Sequence, residues 1–206
     1  MDLKRSVRTP IPELFVAAKY LDAAVSAHLV GNSKLASQLL VEADMPILRD
    51  WTESHWGKNT PYKKTVCFDS SVPVLNEDEK VPARMPSAKE KSLIIQRDGY
   101  HCRFCGVPVV RKEVRDALKT LYPESVRWGR RNEEQHAAFQ ALWLQYDHVV
   151  PHARGGDNSI GNVVITCAPC NYVRMDNLVV EMGVQDPFAR EPINSDWDGL
   201  ERILTL

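Results

Sequence analysis

The chain has no run of about 18 apolar residues, the length a membrane span needs, so no transmembrane segment is expected. Its start, MDLKRSVRTPIPEL, is basic but meets prolines before any apolar stretch, so a secretory signal is not expected. With neither feature, the expected location is cytoplasmic. An excess of one charge sign is also missing. The net charge is −1, which argues against a protein that holds nucleic acid by bulk electrostatics alone. No second copy of the alanine-rich N-terminal helices follows, so a solenoid is not supported. Cysteines are few and odd in number: the five, at 67, 102, 105, 167 and 170, fit a reduced compartment better than a disulfide framework.

The near-neutral mean hides two blocks. Residues 84–131 hold 12 basic and 5 acidic side chains, whereas residues 132–206 hold 4 basic and 11 acidic. The basic block, Arg84 to Arg131, either tracks a phosphate backbone or pairs with the acidic block, and charge alone leaves both readings open.

Apolar residues recur at helical spacing in ELFVAAKYLDAAVSAHLV (13–30), which ends at Gly31-Asn32. Ser33 is placed to cap a second helix, SKLASQLLVEAD, and a third is expected from Pro46 to Trp56, before Gly57. Prolines 61, 73, 82 and 86 and the charged run NEDEK read residues 58–86 as a linker or wrapping segment. Ser87 with Glu90 makes a capping box for a helix to about Arg97. VRKEVRDALKTLY (110–122) and NEEQHAAFQALWLQY (132–146) read as amphipathic helices. YDHVV and VVIT (163–166) read as strands, APCNYVRMDNLVVEMG (168–183) as a helix, and DWDGLERIL as a short terminal helix.

Cys102-Arg-Phe-Cys105 and Cys167-Ala-Pro-Cys170 have the spacing of two zinc knuckles. Four thiolates close a tetrahedral ion and leave no position for water, so the site is structural, and metal binding is coupled to folding. Redox chemistry in one pair is the weaker alternative, because a thioredoxin-like context is absent. Cys67 stands alone and reads as a small buried hydrophobe.

The second pair closes the stretch YDHVVPHARGGDNSIGNVVITCAPCN. Neutral His148 is suited to draw a proton from water near pH 7. Asp147 and Asn171 offer oxygen ligands of the kind Mg²⁺ or Mn²⁺ takes when substrate phosphate supplies the rest. Asn162 is placed to tie the loop ends and hold His148 in register. The bland reading is that the asparagines form turns, and that His101 and His152 are surface residues. The joint order of knuckle, Asp-His, Gly-Gly, Asn and second knuckle favours the functional one.

With RDGYHCRFCG, the pattern resembles the zinc-containing HNH endonucleases over roughly residues 90–180, apart from an inserted helical pair at about 110–140. The resemblance implies a ββα-metal catalytic core, with Asp147 and Asn171 as ligands of the catalytic ion, His148 as general base and Asn162 as the loop-fixing asparagine. His152 and Arg154 then fall where substrate contact is expected, and Arg174 replaces a lysine of the family and is expected at phosphate. The expected fold class is α+β, mainly helical: an HNH core stapled by a four-Cys zinc site, with a helical insertion and an N-terminal helical region. The expected parts are an N-terminal region and linker (1–85), the nuclease domain (86–183) and a tail packing on the body (184–206). The expected activity is metal-dependent hydrolysis of DNA, with structural Zn²⁺ and catalytic Mg²⁺ or Mn²⁺. The N-terminal helices are free to serve a homodimer or a protein partner. The alternative is a non-catalytic zinc module that binds nucleic acid or protein.

Overall fold

A computed structural model describes residues 3–56, 60–62, 67, 69–80, 82 and 85–205. Gly57 and Arg84, and other parts of the expected linker over 58–86, lie outside the described residues. Among the described residues no helix is long and apolar enough to cross a membrane.

The N-terminal hairpin forms as its periodicity requires. Helix α1 (Pro12–Leu29) buries Leu14, Ala17, Ala18, Leu21, Ala24 and Val25, and packs on α2 (Ser33–Ala43). The cap of α2 is Asn32, not Ser33: its side-chain oxygen accepts from the Leu35 amide at 3.2 Å. Helix α3 (Pro46–Glu53) stops one turn before Trp56. Helix α4 (Ala88–Asp98) starts with the expected Ser87–Glu90 capping box, and α5 (Lys112–Leu121) follows the first cysteine pair.

The expected helix over 132–146 is a short helix followed by a strand. Helix α6 (Ala137–Ala141) is buried on every side, so its face pattern carries no amphipathic signal. Residues Leu144–His148 form β1, antiparallel to β2 (Val163–Cys167), in the register Leu144↔Cys167 to His148↔Val163. The pairing exchanges backbone hydrogen bonds along a wholly buried partner strand, which outweighs the helical spacing of the side chains. Helix α7 (Ala168–Arg174) is likewise shorter than the expected 168–183. Met175 turns the chain with φ 52°, and the Glu181 carboxylate accepts from the Leu178 amide at 2.9 Å, holding 175–183 in turns. The terminal turn, Glu201–Thr205, is a 3-10 helix, entered through Gly199 and Leu200 with φ of 68° and 64°.

The order β1, loop, β2, α7 is thus a ββα unit in a mainly helical α+β chain. Helices α1 and α3 pack against α6, where the His136 ring bonds the Leu40 carbonyl at 2.8 Å and Asp44 accepts from the Ala137 amide at 2.7 Å. The N-terminal helices, the insertion and the ββα unit therefore share one apolar cluster. Residue Lys4 pairs with Val184, and Trp197 donates to the Val109 carbonyl at 3.1 Å, so both ends of the described chain lie on this body.

Asp98, fully buried at the end of α4, ties three of these pieces. Its carboxylate accepts from Arg103 at 3.1 Å, from Arg97 at 2.7 Å and from the Ile165 amide of β2 at 2.9 Å. Another buried polar residue, His55, sits between the rings of Trp51 and Tyr62, with one ring nitrogen 2.7 Å from the Trp51 carbonyl. Burial lowers its pKa from 6.5 to about 4, against the carbonyl bond that raises it. The unfolded chain then takes up a proton that the folded one refuses. Stability contributed by neutral His55 is complete above pH 6.5 and is lost as pH falls toward about 4. Urea unfolding across that window is expected to show a falling midpoint, with a shallower fall in His55→Gln; the same slope in both proteins contradicts this.

Candidate active site

The two cysteine pairs meet at one point. Cys102 and Cys105 sit in a turn closed by the Gly106 amide on the Cys102 carbonyl at 2.8 Å, with Gly106 at φ 83°. Cys167 ends β2 and Cys170 lies in the first turn of α7. All four sulfurs are buried and lie within 4.8 Å of one another. The Cys105 and Cys167 sulfurs are 3.7 Å apart. A tetrahedral ion with about 2.3 Å Zn–S bonds needs sulfur separations close to 3.8 Å, so the cluster fits zinc. The Cys105 amide also points at the Cys102 sulfur at 3.5 Å. Burial pushes the Cys167 thiol well above its ordinary pKa, a cost that coordination by a cation removes. Cys67, expected inside, is exposed on the wrapping segment, where its sulfur reaches the Val180 carbonyl at 3.6 Å.

Beside this cluster, β1 ends in Asp147 and His148, whose side chains line a cleft shared with His152 and Asn171. The loop between the strands is drawn shut by Asn162. Its side chain accepts from the Val150 amide at 2.8 Å and donates to the Val150 and Asp157 carbonyls at 3.1 and 2.9 Å. The glycines make room for that closure. A Cβ on Gly156 would lie 1.8 Å from the Val150 carbonyl oxygen, and Gly155 has φ +86°. Asn158, inside the same loop, brings its side-chain oxygen to 2.8 Å from Nε2 of His148. An amide oxygen only accepts, so Nε2 carries the hydrogen and the lone pair of neutral His148 is on Nδ1. Burial lowers the His148 pKa, against the Asn158 bond, which raises it. Sequence reasoning missed Asn158, because an Asn beside Asp and Ser in a loop carries only a turn signal.

Asp147 is held by Arg174. The guanidinium donates from Nε to Oδ2 at 3.0 Å and from Nη2 to Oδ1, and its remaining hydrogens go to the carbonyls of His148, Val149 and Asn177. One side chain thus clasps the end of β1 to the turn after α7, the helix that carries Asn171. Burial raises the Asp147 pKa, opposed by Arg174. Asp147 and Arg174 are 5 % and 2 % exposed, so Arg174 faces inward rather than toward a phosphate. Arg154 is also internal. It pairs with both oxygens of buried Glu181, at 3.0 and 2.8 Å, and donates to the carbonyls of Val72 and Asp69. It anchors the wrapping segment, and only the fold brings Glu181 to it.

Much of the basic block is paired with carboxylates, some buried and some at the surface. Arg97 and Arg103 pair with Asp98, Arg111 with Glu201, Lys112 and Arg115 with Asp116, Arg127 with Asp44, and Arg131 with Glu133 and Glu134. Arg115 also lies over the rings of Trp128 and Trp143, at 3.8 and 5.2 Å from their centroids.

Residues 137–173 match the family model described as HNH endonuclease. The matched segment runs from α6 through both strands into α7, and so includes Asp147, His148, Asn162, Asn171 and the second cysteine pair. The family recognised in this segment is thus that of the HNH endonucleases, and the four-cysteine cluster fits a zinc-containing member. That family suggests a nuclease acting on nucleic acid. No curated protein and no solved structure matches the chain.

Two predictions come from this geometry. Purified protein is expected to hold a single zinc ion per chain, measured by elemental analysis. Its removal, or Cys105→Ser, is expected to lower the unfolding temperature; a metal-free protein of equal stability argues against the structural role. Arg174→Met leaves the buried Asp147 carboxylate without its partner and is expected to cost about 3–5 kcal/mol in chemical denaturation. A change within experimental error contradicts the clasp.

Proposed function

We propose that the protein is a metal-dependent HNH endonuclease that hydrolyses phosphodiester bonds in DNA. The observation that carries this reading is the meeting of Asp147, His148 and Asn171 in one cleft, beside a loop closed by Asn162. His148 is the general base. Its Nδ1 takes a proton from water as the water oxygen bonds to phosphorus and the bond to the leaving oxygen breaks. Asp147 and Asn171 offer the oxygens for Mg²⁺ or Mn²⁺, and Asp147 keeps lone pairs beyond those that Arg174 engages. A divalent ion held there would stabilise the charge developing on the scissile phosphate and the leaving oxygen. His152, on the same cleft wall, is the substrate contact retained from the expected set; Arg154 and Arg174 take positioning roles instead. Residues 86–183 carry the chemistry, in the cytoplasm, and one such site cuts one strand. The N-terminal helices are the surface left for a partner or a second copy.

A second reading has one observation in its favour: both oxygens of Asp147 are already taken by a resident cation, Arg174. In that reading the zinc module binds nucleic acid or a partner without cutting. Plasmid relaxation separates the two. Zinc-loaded protein with Mg²⁺ or Mn²⁺ is expected to nick supercoiled DNA, and His148→Ala is expected to lose about 100-fold or more in rate, the usual worth of a general base. Equal nicking by both proteins removes His148 from the mechanism, and no nicking by either supports the binding module.

A further inference from the structure

The cleft reaches well beyond Asp147 and His148. Its volume, about 1280 Å³, exceeds the roughly 300–1,000 Å³ of a small-molecule pocket. Asn132, Gln135, Gln140 and Gln145 line it with side-chain amides. Trp56, Trp143, Tyr146 and Tyr172 line it with rings, of which Tyr172 is exposed and the others half-buried. With Asn171 the amides number five, and although Gln135 and Gln145 each donate to a backbone carbonyl, an amide carries two donor hydrogens and an acceptor, the chemistry that reads a base edge. Each exposed ring face is a platform on which a base can stack.

Two buried polar atoms on residues of this lining have no partner among the described residues. Gln140 is 1 % exposed; its Nε2 donates to the Gln135 side-chain oxygen at 3.3 Å, while its own Oε1 is buried and unbonded. Nε1 of Trp56 is buried without a partner as well. Folded proteins leave few such groups. Here one is an acceptor and one a donor, on residues of the same cleft.

Phosphate-binding chemistry, by contrast, is sparse. Lys80 is the single lysine or arginine among the described residues lining the cleft, and it is paired with Glu77. The basic block that a duplex backbone would need lies outside this cleft lining, and seven of its side chains are paired with carboxylates, some internal and some at the surface. A cleft with five amides, four Trp and Tyr rings and one committed lysine suits bases better than backbone.

We propose that this cleft is a subsite for unstacked nucleobases, so that the substrate is single-stranded or locally unpaired DNA. The proposal deepens the nuclease reading and rests on it for the cleavage step after binding. The binding step itself is separable. Zinc-loaded His148→Ala protein, without added Mg²⁺ or Mn²⁺, is titrated against a short fluorescent single strand, its duplex, and the same strand with abasic positions. The single strand is expected to bind more tightly than the other two by roughly 5- to 100-fold, the range for one lost base stack. Adding Tyr172→Ala or Gln145→Ala is expected to weaken single-strand binding, with Tyr172→Phe retaining it, and the affinity is expected to fall only gently with salt. Equal or tighter duplex binding, or an abasic strand bound as well as the natural one, overturns the proposal. If nicking depends on His148 but no single-strand preference appears, this inference fails and the nuclease reading stands. If the preference appears without His148-dependent nicking, the nuclease reading fails and the subsite remains.

Discussion

Everything near the cleft depends on the convergence of four thiols from two distant stretches of chain. Cys102 and Cys105 follow α4, whereas Cys167 and Cys170 close β2 and open α7, so an ion shared by the four would fix the start of α7 against the first knuckle. Asn171 is the residue after Cys170, and its position follows from that constraint. The backbone supports the same junction: the Arg103 amide bonds the Ile165 carbonyl at 2.8 Å, and Asp98 reaches β2 from α4. A cluster of buried thiols is a poor core on its own, and coordination would turn it into a firm link between these elements.

Around that link, the polar residues divide by direction. Asn162 and the two glycines shape the loop, Asn158 sets the hydrogen position on His148, and Arg174 holds Asp147 from behind. The residues facing the cleft are thereby placed by others that do not face it, which is how a short two-stranded unit obtains a defined geometry. The arginines show the same economy. Arg97, Arg103, Arg154 and Arg174 each bond carbonyls as well as carboxylates, using the planar fork to brace irregular backbone where helices and strands are short.

Much of this was legible from local pattern. The Cys-x-x-Cys spacing, the Ser87–Glu90 box and the apolar face of α1 each depend on residues a few positions apart, and each appears as expected. What misled was a periodicity without its context. NEEQHAAFQALWLQY has helical spacing, yet Leu144–Tyr146 pair with β2, a strand that the local pattern of this stretch does not include. The stretch after Arg174 also keeps a helical pattern, but Glu181 and Arg174 satisfy its backbone in turns instead. The net positive block left a phosphate track and pairing with carboxylates both open, since charge counting ignores where the carboxylates fold.

By itself, the sequence determined the chemical inventory and its local order: two knuckles, an Asp-His pair, a glycine turn and the asparagines that flank it. Those are short-range signals, set by ligand spacing and turn chemistry. Tertiary structure alone decided which charges are spent and which are left. Arg174 meets Asp147 across 27 residues, Arg154 meets Glu181 across 27, and Arg111 meets Glu201 across 90. Such pairings follow from how the elements pack, because a buried charge accepts whichever partner the fold brings within hydrogen-bond reach.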